Sequence, residues 1–324
     1  MTVGAAPVER GSANGATTAH DPVVSVIIPT WNRAHLMERV VATVQGQTLT
    51  ELEILIVDDG STDGTAGVIG AIDEPRIRYI PLDRNGGSGY ARNRGLREAR
   101  GEFVAFLDSD DEWFPEKLRL QVDRIRELPD SVVAIYTGTE TINGTGDPEY
   151  FTPSLRGDLR TPLLERNVLH GGGSSMLIRR SAAERVGAFD LDYPAIEDYD
   201  YWLRLSAVGE IDFVPDVLVR YHDAASEGRK SRSLERTTRA RDVFFAKHSA
   251  AMRQAGIAHR FLEESARRLL RRTNWQPARA RELLRRAAAE HRYTRDSVLL
   301  LAKSFIPGPA WNFWVNRTRR FWGP

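Results

Sequence analysis

The sequence predicts an α/β protein: a mostly parallel sheet built from βαβ units, followed by a helical C-terminal extension. Three observations predict it. Continuous apolar runs rich in β-branched residues recur through the first half of the chain. Amphipathic segments alternate with them at short spacing. From Ser231 onward the chain turns to Ala, Leu and Arg at helical periodicity. Unbroken apolar runs mark strands buried on both faces, and strand–helix alternation marks parallel pairing.

The first strand is "VVSVIIP", Val23–Pro29, and "LEILIV", Leu52–Val57, is the second. "RIRYIP", Arg76–Pro81, and "EFVAFL", Glu102–Leu107, are the third and fourth, with "SVVAIY", Ser131–Tyr136, as a fifth. Between them lies a helix over His35–Gln45 that places Leu36, Val40, Val41 and Val44 on one face. Thr65–Ile72, Tyr90–Ala99 and Glu116–Leu128 are the next helices. "INGTGDPEYFTPSLRGD", Ile142–Asp158, reads as a turn-rich loop. Ser174–Arg180 and Val217–His222 read as strands flanking a helix near Asp198–Ala207. The C-terminal helices break around Trp275–Pro277 and end near Ser304.

Composition bounds the chemistry. The chain has 324 residues, 41% hydrophobic and 27% charged, which suits a large α/β domain with something smaller attached. It has no cysteine, which excludes disulfides, a thiolate nucleophile and Cys-ligated zinc. Met1–His20 has no apolar stretch of signal-peptide length and reads as a disordered leader. No run approaches the ~18 apolar residues of a membrane span. The net charge of +1 conceals an asymmetry: from Arg229 on, 23 Lys and Arg stand against 7 Asp and Glu.

Each of the first four strands ends in a polar or glycine-rich segment: "TWNR", "DDGSTDG", "DRNGGSG" and "DSDDEW". In parallel sheets the ligand crevice lies outside the carboxyl ends of the strands, so this edge is the expected site. Asp108, Asp110 and Asp111 crowd three carboxylates behind an apolar strand, which suits a divalent cation bridging to substrate phosphates. The bland alternative is an Asp-rich turn capping the next helix. Asp59 is placed either to accept hydrogen bonds from a base or ribose, or to close a turn. "NGGSGYARNRG" lacks the third glycine of a dinucleotide fingerprint and the lysine of a P-loop, yet Arg92 and Asn93 are placed to reach a diphosphate. Glu197, Asp198 and Asp200 sit at a loop-to-helix junction, where Asp198 suits a helix cap or a general base equally.

Taken together, "VSVIIPTWNRAHLM", "EILIVDDGSTDGT", "NGGSGYARNRGL", "GEFVAFLDSDDEW" and "AIEDYDYWLRL" resemble the family 2 glycosyltransferases, in order from Val23 to His222. The resemblance implies a GT-A, Rossmann-like fold, a nucleotide-sugar donor, Mn²⁺ or Mg²⁺, and transfer to an acceptor hydroxyl with inversion. It implies that Pro29, Thr30 and Asp59 line the nucleoside pocket with Trp31 near the base, where the family more often has Tyr. Asn32, Arg33, Gly87, Arg92, Asp108, Ser109 and Glu197 complete the nucleotide-sugar contacts on this reading. Asp110 of the DxD motif Asp108-Ser109-Asp110 is the implied metal ligand, with Asp111 or Asp108 assisting; His222 resembles a histidine that completes the metal or diphosphate site, and Asp198 is the implied base.

The resulting division is a leader over 1–21, a catalytic region over 22–228 and a basic helical region over 229–324. Within the catalytic region, 22–112 is the nucleotide-sugar half and 113–228 the acceptor half, shaped by Ile142–Leu169 and Gly171–Gly173. The expected donor is a UDP-sugar and the expected acceptor a glycan, lipid-linked or protein hydroxyl, in glycan, polysaccharide or glycolipid assembly. Trp311, Trp314, Phe321 and Trp322 beside Arg317, Arg319 and Arg320 suggest an anionic membrane surface. The competing reading is helices docked on the acidic front. The expected location is cytoplasmic, on or off the membrane face, with no nucleic-acid partner. Two other functions fit less: a haloacid-dehalogenase-like phosphatase using Asp108 and Asp110, and a non-catalytic membrane-surface scaffold.

Overall fold

The computed structural model describes residues 21–142, 148–222, 233–271 and 275–305. The N-terminal leader and the aromatic–arginine segment at the C-terminus lie outside the described residues.

Four strands, β1 (Val24–Thr30), β2 (Leu52–Asp58), β3 (Ile77–Pro81) and β4 (Phe103–Phe106), form the parallel half of the sheet. They are joined by α1 (Ala34–Gln45), α2 (Thr65–Ala71) and α3 (Ser88–Glu98). Then come β5 (Glu112–Trp113), α4 (Lys117–Arg126), β6 (Val132–Ile142), β7 (Pro148–Phe151) and α5 (Arg160–Glu165). After a 3₁₀ turn at Gly172–Ser175 follow β8 (Leu177–Arg179), α6 (Arg180–Val186), α7 (Glu197–Ser206) and β9 (Glu210–His222). Four helices end the described chain: α8 (Leu234–Gln254), α9 (Ala258–Leu269), α10 (Pro277–Glu290) and α11 (Arg295–Lys303).

The sheet has nine strands in the order β3-β2-β1-β4-β8-β6-β9-β5, with β7 paired to β6. β3, β2, β1 and β4 are parallel, as is β6 with β9, whereas β8 runs antiparallel to both neighbours. The expected parallel core is therefore present and the second half is mixed. The fifth strand runs on to Ile142, and the expected turn-rich loop contains β7. The expected strand at Ser174–Arg180 begins instead with the 3₁₀ turn.

Every residue of β1 and β2 is buried, which is why both read as unbroken apolar runs. β4 alternates: Phe103 and Ala105 join the core on one face, Val104 and Phe106 the core on the other. On the first face α1 and α4 pack Met37, Val40, Val41, Leu118, Val122 and Ile125. Val40, Val41 and Val44 of the α1 stripe are fully buried together with Met37, and Leu36 packs against the same core half-buried. On the second face lies an aromatic cluster in which Phe189 stacks on Tyr201 at 4.0 Å and meets Phe106 edge-on at 5.4 Å. Such pairs contribute about 0.5–1.5 kcal/mol each beyond the area they bury.

That second core does not stop at the sheet. Phe244 of α8 stacks on Tyr199 of α7 at 4.2 Å and on Phe261 of α9 at 5.3 Å, and all three are buried. Many of the arginines of these helices are paired: Arg253 with Glu290, Arg279 with Asp242, Arg267 with Asp296. The described basic helices dock on the front of the molecule by apolar contact. Among the described residues no helix is long and apolar enough to cross a membrane.

Candidate functional site

The strand order reverses between β1 and β4, and the turns at the carboxyl ends of the four parallel strands open onto one cleft of about 910 Å³. Pro29, Thr30, Trp31 and Arg33 reach it from the end of β1, and Asp59 from the end of β2. Asn85, Gly87 and Ser88 come from the turn before α3, and Asp108, Ser109 and Asp110 from the turn after β4. Glu197 and Asp198 enter at the start of α7.

Trp31 stands at the mouth, 50% exposed. The Thr30 hydroxyl is buried and has no hydrogen-bond partner among the described residues. An unmet buried hydroxyl costs about 1–3 kcal/mol, which a ligand group in the cleft would offset. Asp59 is buried, and its two carboxylate oxygens accept the backbone N–H groups of Gly86 at 2.8 Å and Gly87 at 2.6 Å. It therefore also clamps the glycine turn, in which Gly87 takes φ 91°, a conformation that favours glycine.

Asn32 is absent from the lining. Its backbone sits at φ 51°, its N–H donates to Ser61 Oγ and its Oδ1 accepts the Thr62 N–H, both at 2.8 Å. Asn32, expected to contact the nucleotide, cross-links two turns here.

Arg92 is buried at the centre. Its Nη2 donates to Asp108 Oδ1 at 2.6 Å and its Nη1 to Glu197 Oε1 at 3.0 Å. Burial alone would weaken its hold on the proton, but the carboxylates of Asp108, Glu197 and Asp198 outweigh that and raise its pKa. Sequence placed Arg92 against a diphosphate; in the structure two of its nitrogens bind carboxylates instead. Ser88 Oγ also donates to Glu197 Oε1.

Asp198 is pushed up to about 6, first by burial and then by the charges of Glu197 and Asp108, with Arg92 opposing them. The Tyr199 N–H donates to Asp198 Oδ1 at 2.8 Å and fixes the carboxyl. Ile196, just before the pair, has φ 56°. A β-branched residue there is strained by roughly 1–3 kcal/mol, and such strain clusters at sites where a side chain must be aimed. Gly172 lies so close that a Cβ there would be 3.4 Å from Asp198 Oδ2.

The acidic turn splits. Asp108 and Asp110 line the cleft, but Asp111 is fully buried and absent from the lining, its Oδ2 accepting the Ser174 hydroxyl at 2.6 Å. Ser174 Oγ in turn accepts the Asp108 N–H at 3.1 Å. His222 also stays off the lining and pairs with Glu112 at 2.7 Å. Asp111 and His222, expected to assist the cation, are engaged here by Ser174 and Glu112. Among the described residues no group of three or more His, Asp or Glu is arranged to hold a metal. Asp110 and Asp108 fit the other common case, in which one or two carboxylates hold a cation whose remaining ligands come from substrate phosphates and water.

Sequence reasoning missed three contributors. Ser88 and Ser174 lie in small-residue stretches with no charge to flag them. The third is the wall supplied by α8 and α9, where Thr237, Arg241, Phe261, Ser265 and Arg268 line the same cleft.

Residues 25–187, half of the chain, match the model of glycosyl transferase family 2. An uncharacterized glycosyltransferase of Rickettsia typhi is 30% identical over 257 residues, covering 76% of this chain and 80% of that protein. A putative teichuronic acid biosynthesis glycosyltransferase of Bacillus subtilis, TuaG, is 41% identical over 130 residues, covering 39% of this chain and 50% of that protein. The chain spans about a third of the length of other Rickettsia relatives that it matches at 31–32% identity. Among solved structures, Staphylococcus aureus TarS 1–349 in complex with UDP superposes with a TM-score of 0.56 at 20% identity, over 87% of this chain and 90% of that one. The mannosyltransferase PcManGT of Pyrobaculum calidifontis, in complex with GDP-Man and Mn²⁺, gives 0.57 at 23%, over 90% and 83%. The fold is the mixed α/β GT-A architecture with C-terminal helices.

Proposed function

The chain belongs to glycosyl transferase family 2, and from that premise we propose that it moves a sugar from a nucleotide-sugar donor to an acceptor hydroxyl with inversion, Asp198 acting as the base. The observation that carries this reading is the position of Asp198: beside the Asp108–Asp110 turn, in the same cleft, with its proton affinity raised to about 6. A base poised near neutrality takes a hydroxyl proton most effectively as the oxygen attacks.

The donor half supplies binding and orientation. The nucleoside lies along Pro29, the unmet Thr30 hydroxyl and Trp31, with Asp59 holding the glycine turn beneath it. Asp110, helped by Asp108, would hold Mn²⁺ or Mg²⁺, which would supply positive charge to offset that of the nucleoside diphosphate. Arg92 does not reach the nucleotide on this reading. It keeps Asp108 and Glu197 in place and limits how far the pKa of Asp198 rises. The acceptor oxygen approaches the anomeric carbon from the face opposite the nucleotide, gives its proton to Asp198, and a single displacement inverts the configuration.

A UDP-sugar is the favoured donor, supported by the UDP complex of TarS; the GDP-Man and Mn²⁺ complex of PcManGT supports cation use and keeps a GDP-sugar in view. Assembly of a cell-envelope polysaccharide is the favoured setting, supported by the likeness to TuaG. The phosphatase alternative loses ground because residues 25–187 match the glycosyl transferase family 2 model. Thermal-shift and calorimetric screening of UDP-, GDP-, dTDP- and CMP-sugars with Mn²⁺ tests the proposal. One nucleotide class should stabilise the protein in a cation-dependent way. A screen in which none binds would sink it.

A further inference from the structure

One end of the cleft is basic, and the charge comes from the C-terminal helices. Arg241 on α8 and Arg268 on α9 line it, with Arg271 just beyond α9 and Asp242 beside them. Arg241 Nε donates to Ser265 Oγ at 2.8 Å, and its guanidinium lies 4.4 Å from the centre of the Phe261 ring. Its Nη2 is buried and has no hydrogen-bond partner among the described residues. Of the nearby acids, Asp242 pairs with Arg279 and Arg286, while Glu264 pairs with Arg267 and, at 3.1 Å, with Arg268 itself. Burial, followed by the like charge of Arg268, holds Arg241 down to about 10 despite Tyr199, Glu264 and Asp242.

A fixed guanidinium with an unmet donor beside a second arginine is costly to maintain empty. It suits an anionic group, since the planar fork binds phosphate or carboxylate oxygens two at a time. Position assigns it to one substrate. Tyr199 follows Asp198 directly, stacks on Phe244 one turn along from Arg241, and feels the charges of both Arg241 and Arg268. Arg241, Arg268 and Asp198 line the same cleft, the two arginines on the wall supplied by the C-terminal helices.

We infer that this end of the cleft is the acceptor subsite and takes a saccharide carrying a phosphate or carboxylate close to the hydroxyl that is glycosylated. The inference rests on the transferase reading above.

The test is calorimetry on the full chain saturated with UDP and Mn²⁺, titrated with glucose 6-phosphate, glucuronate and glucose as probes. At least one anionic sugar should bind and glucose should not; which one binds separates phosphate from carboxylate. The double variant Arg241→Gln, Arg268→Gln should weaken that binding by about tenfold or more, the loss of roughly one charged hydrogen bond, with UDP affinity within about twofold. Arg268→Gln alone, at a half-exposed position, gives the same direction if the double variant does not fold. Equal binding of all three sugars, binding of none, retained affinity in the variants, or competition between UDP and the anionic sugar would each overturn the inference. A wild-type chain that binds no nucleotide overturns the transferase reading, and the acceptor assignment goes with it.

Discussion

Arg92 and Glu197 stand 105 residues apart in sequence and 3.0 Å apart in space, joining α3 to the start of α7. Through its other nitrogen the same guanidinium holds Asp108, so one buried cation ties together the donor side and the base.

Arg92→Met is expected to destabilise the protein by about 3–5 kcal/mol, because it leaves two carboxylates without their partner. Arg92→Lys should recover only part, since one ammonium cannot reproduce the two-pronged geometry. Urea unfolding measures both. A loss below about 1 kcal/mol for Met would show that the pair contributes no more than a surface contact.

Asp198→Asn should cut transfer by about 10²–10⁴-fold while nucleotide binding persists. In the wild type, transfer should rise with pH through about 6, because only the ionised carboxylate takes the proton. Stability runs the other way. A folded pKa raised from 3.8 to about 6 means the folded state holds the proton more tightly than the unfolded chain. Stability therefore falls as pH rises through that window. Asp198→Asn should raise Tm at pH 7.5 and lose the advantage below pH 4. A pH-independent rate between 5 and 8 would remove Asp198 from its role.

EDTA should abolish transfer, with Mn²⁺ or Mg²⁺ restoring it. The acids of the turn should then separate by phenotype. Asp110→Asn should raise the Mn²⁺ concentration for half-maximal rate by about tenfold at unchanged Tm. Asp111→Ala should instead cost about 1–3 kcal/mol, having removed the buried acceptor of the Ser174 hydroxyl. Titration of rate against Mn²⁺, alongside melting curves, distinguishes the two.

Phe244→Ala should destabilise the whole chain by about 3–5 kcal/mol, through one unfolding transition, since Phe244 bridges Tyr199 and Phe261. Calorimetric scans showing two separate transitions would mean that the C-terminal helices unfold on their own.

Flotation with anionic liposomes tests the membrane reading of Trp311–Trp322, which lies outside the described residues. Binding at low salt that weakens at high salt is the expected result. Absence of flotation in both conditions would dismiss it.

The parallel core was legible because β1, β2 and β4 are buried on both faces, which forces an unbroken apolar run. β9 was only half legible. Its 13 residues are interrupted by Pro215 and alternate irregularly between buried and exposed, since it pairs with β6 through register shifts. The acidic turn shows a different limit. Asp110 and Asp111 are adjacent and chemically identical in sequence, yet the turn sends one to the cleft and the other inward to Ser174. Only the path of the backbone after β4 separates them. Arg92 was recognised as a site residue, but one of its two partners, Glu197, lies 105 residues away, beyond any local pattern. The wall supplied by α8 and α9 was hidden for the same reason: amphipathic periodicity says that a helix has an apolar face, not what that face will cover.

The clamp of Asp59 on Gly86 and Gly87 changes how damage at that position will read out. Replacing this carboxylate frees the two amides it holds, so the hinge between the second and third crossovers slackens before any pyrimidine or purine contact is lost. A substitution there will masquerade as a defect in nucleotide selectivity, whereas its origin is a loosened scaffold that every donor has to share.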